Sequence, residues 1–218
     1  MYRLDESDTL DGINNNTYDL FFMSKRYNER FAKNDREFLC SIIRKFTMLD
    51  DDTMDMVIDE THIFERIGDG FIAKYNSLEY EFFLLDSLLD EKKEILRSEE
   101  RYGKCIYTSI SLASVYDSKC KVAIGYLDNN EDKILHAVFI DSAFDYVFDY
   151  TMNLAMPKDQ YIELMDYKII NEIDGDNIKK DLKILWDIEH ISVFFYLCFR
   201  DEFIKDLSRS SKVLKLED

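Results

Sequence analysis

The chain has 218 residues, a formal net charge of -17 at pH 7, 46% hydrophobic residues, 16 Phe, 14 Tyr and one Pro. That apolar fraction suffices for one sizeable core, or a core with a helical appendage, while the acidic surface repels phosphate backbones and anionic membranes and so excludes direct nucleic-acid and membrane partners. No apolar run approaches the roughly 18 residues of a bilayer span; the polar start Met1 to Glu6 has no signal-peptide apolar stretch, and Cys40, Cys105, Cys120 and Cys198 show no Cys-x-x-Cys spacing, so a cytoplasmic protein with reduced thiols is expected.

Residues 1–16, with Gly12 and Asn14 to Asn16, read as loose chain. Leu20, Phe21, Tyr27 and Phe31 share a face of a helix over Thr17 to Ala32. Asn34 to Glu37 resembles a capping box, followed by Phe38, Leu39, Ile42 and Phe46 at helical spacing. The cluster Asp50-Asp51-Asp52, Asp55, Asp59 and Glu60 interrupts this pattern. Thr53 is the expected cap of a third helix bearing Met54, Val57, Ile58, Thr61 and Glu65 on one face. Gly68-Asp69-Gly70 is a turn and Phe71 to Tyr75 a short strand. Asn76 to Leu96 gives the clearest helical spacing, with Leu78, Phe82, Leu85 and Leu89 stepping by four, three and four.

The pattern changes after Gly103. Cys105 to Tyr116 reads as a helix, with a strand as the alternative because of its Ile, Tyr, Thr and Ser content. Lys121 to Leu127 and Lys133 to Ile140 read as strands joined by the polar loop Asp128 to Asp132. His136, Val138 and Ile140 fall on one face of the second. A turn near Asp141 to Ala143 leads to a third strand over Asp145 to Thr151. Pro157 opens a helix to about Tyr167, Gly175 marks a turn, and Ile184 to about Leu207 closes the chain with an aromatic helix carrying Trp186, Phe194, Phe195 and Phe199.

This order places a thiol at the start of a helix and an imidazole and a carboxylate on two consecutive strands. A Cys at a helix N-terminus has its pKa lowered by unpaired N–H groups, and a neighbouring imidazole lowers it further and can later protonate a leaving group. Cys105 is the candidate nucleophile and His136 the candidate base and acid. In a tight hairpin, positions equidistant from the turn face each other, which puts Asp149 nearly opposite His136; Asp145 and Asp141 are the alternatives. Cys120 has no nearby His in sequence, His190 and Cys198 belong to the aromatic C-terminal helix and are expected in the core, and His62 is expected on the surface near an acidic helix face. With no His-Glu-x-x-His, no paired Cys motif and no Gly-rich phosphate loop, neither a metal nor a cofactor is expected.

Gly103-x-Cys105, Gly125-Tyr126, His136-Ala137-Val138 and Asp149-Tyr150-Thr151 together resemble the core of the transglutaminase-like cysteine enzymes of the broad papain-like group. The resemblance covers residues 103–153, about a quarter of the chain. Val138 stands where that family has Trp, and Tyr150 where it has Pro. The spacing over residues 1–100 gives a mostly helical N-terminal region, and the resemblance implies a core over 101–218 in which the Cys-bearing helix lies against an antiparallel sheet; together they make an α+β fold, the two packed as separate regions or as one continuous domain. The resemblance implies catalytic roles for Cys105, His136 and Asp149 in acyl transfer from an amide of a protein or peptide substrate, of peptidase, deamidase or transglutaminase type. The alternative is a non-catalytic acidic binding or inhibitor protein that uses the same fold to engage a basic protein partner.

Overall fold

The computed structural model describes residues 17–85, 104–129, 132–186 and 190–206. It is an α+β protein whose chain divides into two compact units between Phe83 and Leu84. Among the described residues, no helix is long and apolar enough to cross a membrane.

The first unit opens with helices α1 (Thr17–Phe31), α2 (Asp35–Phe46) and α3 (Asp51–Thr61). Asn34 caps α2 by accepting from the Glu37 N–H at 2.9 Å, while the Glu37 carboxylate turns back to the Lys33 N–H at 2.6 Å. Two orphan donors at the helix start are thereby satisfied. At α3 the cap is Asp50 and not Thr53: its carboxylate accepts from the Thr53 N–H and hydroxyl, each at 2.9 Å. The carboxylate suits the end of a helix where unpaired N–H groups carry partial positive charge. Glu65, expected on this helix, lies beyond its end on the first strand.

Strands β1 (Phe64–Ile67), β2 (Gly70–Tyr75) and β3 (Leu78–Leu84) then form an antiparallel meander. This corrects the helix expected from Asn76. Its residues 78–84 are a strand, and residues 86–96 lie outside the described set. The spacing of Leu78, Phe82 and Leu85 fits a helix, but Leu78-Glu79-Tyr80-Glu81-Phe82 also alternates. Tyr80 and Phe82 are buried and the two glutamates exposed. Aromatic residues favour the pleated surface, and Asn76 takes the left-handed conformation (φ 53°) that starts the turn into β3. The rings of Phe46 and Phe64 stack at 4.0 Å, and Phe71 and Phe82 at 5.5 Å, over Leu39, Ile42 and Ile43 of α2. This aromatic cluster anchors α2 to the meander.

The second unit is built on strands β4 (Cys120–Asn129), β5 (Asp132–Asp141), β6 (Tyr146–Asp149), β7 (Leu154–Pro157) and β8 (Tyr167–Asp174), all paired antiparallel in the order β7-β6-β5-β4-β8. The strand expected over Asp145 to Thr151 is shorter. Asp145 sits in the turn with φ 57°, and Tyr150–Met152 form a single 3₁₀ turn. Helices α4 (Cys105–Val115), α5 (Lys158–Met165), α6 (Gly175–Trp186) and α7 (His190–Cys198) pack with them, and a further helical stretch covers 200–206, so the one helix expected from Ile184 to about Leu207 is broken at Phe199. Cys105 therefore begins a helix rather than a strand. Gly175, expected as a turn, opens α6, and β8 occupies a stretch with no assigned element in the sequence reading. Gly175 is tied there by space: a Cβ would come 2.4 Å from the Cys120 sulfur.

Candidate active site

α4 starts at Cys105, and Lys104 before it supplies no side-chain cap. Gly103 lies outside the described residues. The helix packs on β5 and on the 3₁₀ turn, which brings its first residue to the strand that carries His136.

His136 is buried mid-strand on β5, directly across from Gly125 on β4. Asp149 is the last residue of β6 and is fully buried. Phe139 pairs with Phe148, so continuing that register puts Val138 opposite Asp149. His136, two residues along the same face, meets the carboxylate diagonally. The His136 Nε2 to Asp149 Oδ2 distance is 2.9 Å. With Nε2 engaged, Nδ1 is the nitrogen left for the thiol, and the Cys105 sulfur is hydrogen-bonded to the His136 ring and to the Ala137 N–H.

The remaining acceptor capacity of Asp149 is also used. Oδ1 accepts from the Thr151 N–H at 2.9 Å and the Met152 N–H at 3.3 Å, which winds the chain into the 3₁₀ turn. Oδ2 accepts a second bond, from the Tyr161 hydroxyl of α5 at 2.7 Å. Four donors on a buried carboxylate replace the water it lost and keep it ionised.

The protonation states follow. Burial works against a charge on Asp149, but the His136 ring, the Tyr161 hydroxyl and the Met152 N–H outweigh it and hold the carboxyl below its ordinary 3.8. Burial likewise opposes the imidazolium; the Asp149 charge and the Cys105 sulfur overcome it and push His136 up to about 10. Burial raises the Cys105 thiol, yet its bond to His136 and the charge there bring it below its ordinary 9.0. The other three cysteines go the opposite way: burial pushes Cys40, Cys120 and Cys198 up. Cys105 is the one thiol of the four whose surroundings favour the reactive thiolate.

A second tyrosine backs the histidine. The Tyr167 hydroxyl donates to the His136 carbonyl at 3.0 Å and the Ala123 carbonyl at 3.3 Å. Its ring lies edge-on to those of His136 and Tyr161, at 6.4 and 5.7 Å. Burial pushes its phenol well above the ordinary 10.0, so it remains a protonated donor. The ring reaches this position because Gly125 has no side chain. A Cβ there would lie 2.4 Å from the Lys168 carbonyl oxygen and 2.9 Å from the Tyr167 ring.

The structure thus brings together Cys105, His136 and Asp149. It keeps the alternative carboxylates away from His136: Asp145 is exposed in the turn, and Asp141 accepts from the Tyr116 hydroxyl and the Ala143 N–H. Val138 and Tyr150, the two departures from the family pattern, are both buried in the core. Sequence reasoning missed Tyr161 and Tyr167. The only available signal was Gly125, since a glycine inside a strand marks the close approach of another group but does not say which. His62 is exposed at the end of α3, while Cys120 and Cys198 are buried. Among the described residues, no group of three or more Cys, His, Asp or Glu side chains is arranged to hold a metal ion. The chain matches no family model, no curated protein and no solved structure.

Proposed function

We propose that the protein is a cysteine-dependent acyl-transfer enzyme of the transglutaminase-like kind, acting on an amide of a protein or peptide substrate through Cys105, His136 and Asp149. The observation that carries this reading is the placement of His136 between a helix-start thiol and a fully buried carboxylate that is itself saturated with donors. Each feature has a chemical use. The thiolate attacks the carbonyl carbon, forming the S–C bond while the π pair moves onto oxygen. The Cys105 N–H, first in its helix, is the backbone donor for that oxyanion. Collapse breaks the C–N bond, and the departing amine takes its proton from His136, leaving a thioester. Water, or an amine, then attacks the thioester while His136 takes back a proton and the thiolate is released. Asp149 holds the ring with Nδ1 towards the sulfur throughout and stabilises the imidazolium. Four free cysteines support placing this chemistry in the reducing cytoplasm.

The test is alkylation by iodoacetamide, followed at each cysteine by peptide mass spectrometry, in wild type and His136→Ala. Cys105 is expected to label well below pH 9 and much faster than Cys40, Cys120 and Cys198, and to slow at least tenfold without the imidazole. Equal, slow labelling of Cys105 in both proteins removes the catalytic reading and leaves that of a binding protein.

A further inference from the structure

We propose that Tyr161 is a positioning residue that limits how tightly Asp149 holds the His136 proton, so that the imidazolium can pass that proton to the leaving amine. The inference rests on the proposed function of this site and extends it to a residue on a separate element, α5.

The geometry sets up a competition. Tyr161 is fully buried, and its hydroxyl and the His136 Nε2 approach the same oxygen, Asp149 Oδ2, at 2.7 and 2.9 Å. The other oxygen is occupied by backbone N–H groups, so the carboxylate cannot turn to give each donor its own acceptor. A hydrogen bond to a carboxylate is stronger when its negative charge is not already neutralised by a cation. The Tyr161 bond therefore strengthens when His136 becomes neutral and weakens when His136 is protonated. By linkage, the hydroxyl favours the neutral imidazole.

This matters because burial, the largest single influence on His136, opposes its charge, and Asp149 with the Cys105 sulfur outweighs it and pushes the ring up to about 10. An imidazolium held that firmly is a poor general acid, since proton transfer is most efficient when donor and operating pH are near each other. An added O–H donor on the same oxygen moves the ring back towards that match. The ionisable and polar groups facing His136 are Cys105 from α4, Asp149 from β6 and Tyr167 from β8, with Gly125 opposite it on β4. Tyr167 bonds a carbonyl rather than the carboxylate, so among these tyrosines only Tyr161 acts on the shared oxygen.

The protein has three histidines, so the ring of His136 can be followed by NMR titration and assigned by its loss in His136→Ala. Tyr161→Phe keeps the ring and removes the donor. Its His136 midpoint is expected to rise by roughly half to one pH unit above wild type. Replacing Tyr161 with 3,5-difluorotyrosine, which keeps the bond and strengthens the donor, is expected to lower the midpoint. This second variant keeps the question answerable should Tyr161→Phe not fold. A purely structural role would loosen the His136–Asp149 contact in Tyr161→Phe and lower the midpoint; that result, or no change in either variant, overturns the assignment. A wild-type midpoint that is not raised at all would instead overturn the proposed function itself.

Discussion

Replacing Asp149 with Asn tests the site most directly, because the side chain keeps its shape while one oxygen becomes NH2. Two orientations are available. If the amide faces the 3₁₀ turn, it meets the Thr151 and Met152 N–H groups now bound to Oδ1, leaving two buried donors unpaired at about 1–3 kcal/mol each. If it faces His136 instead, the Tyr161 hydroxyl can turn and accept, and the ring can shift its proton from Nε2 to Nδ1. The second arrangement loses less, so it is the one expected. It turns an N–H towards the Cys105 sulfur, where the proposed reaction needs a base. With Asp149 neutral, burial opposes the imidazolium with only the Cys105 sulfur left to support it, and the ring falls well below its present value of about 10. The lost charge pairing amounts to on the order of 3 kcal/mol of stability at pH 7. The thiol then loses the imidazolium, and burial pushes it back up, which leaves far less thiolate at pH 7. Cys105→iodoacetamide labelling at pH 7 should fall at least tenfold, with a lower urea midpoint. Labelling within twofold of wild type would refute the account of how this thiol is activated.

Gly125→Ala should destabilise the protein by about 1–3 kcal/mol, because the new methyl meets the Lys168 carbonyl oxygen, a backbone atom that cannot swing aside, as well as the Tyr167 ring; a urea midpoint matching wild type would contradict the close packing of β8 on β4. The pH dependence of stability has a sign set by His136. Its value is raised from 6.5 to about 10, so its contribution is full below pH 6.5 and is lost as pH rises through 10. Cys105, shifted downwards from 9.0, gains stability over part of the same window and masks the effect. In a Cys105→Ala background the urea midpoint should therefore fall between pH 6.5 and 10, and adding His136→Ala should abolish that fall; a level midpoint in the single variant would show that His136 is not held in its charged form.

The two halves of the chain differ in how far sequence pattern reveals them. α2 could be located because the signals agree: Asn34 and Glu37 are spaced to satisfy orphan donors, and Phe38, Leu39, Ile42, Ile43 and Phe46 all bury on one face. At Asn76 to Leu84 they disagree. Leu78 and Phe82 are compatible with either period, because a step of four returns to the same face of a helix and of a strand, and Leu85 lies just past the end of β3. What decides between helix and strand lies outside the segment. The β2 register pairs Phe71 with Phe82 and Tyr75 with Leu78, and a neighbouring strand leaves no mark in local spacing. Helix ends suffered in the same way: Thr53 and Asp50 are both acceptable caps, and only the placement of the carboxylate three residues before the Thr53 N–H selects Asp50.

The site shows where that limit falls for chemistry. Cys105, His136 and Asp149 could be found because each is a reactive type and because strand and hairpin geometry constrain where the second and third can lie. Hairpin symmetry brought His136 and Asp149 close; the diagonal offset arises because β5 runs on through Asp141 and the turn takes the four residues 142–145, with Asp145 in a left-handed conformation. Tyr161 and Tyr167 carry no such mark, since a tyrosine in a helix or strand reads as packing. Their roles arise from depth. Once Asp149 is sealed from water, each of its lone pairs needs a protein donor, and the backbone of one short turn supplies two. The other donors must come from elements brought in by the fold: His136 from β5 and Tyr161 from α5. A buried carboxylate in a nucleophile–imidazole–carboxylate arrangement therefore implies an additional donor even when no motif names it, and the direction in which that donor moves the His136 proton separates tuning of the reaction from support of the fold.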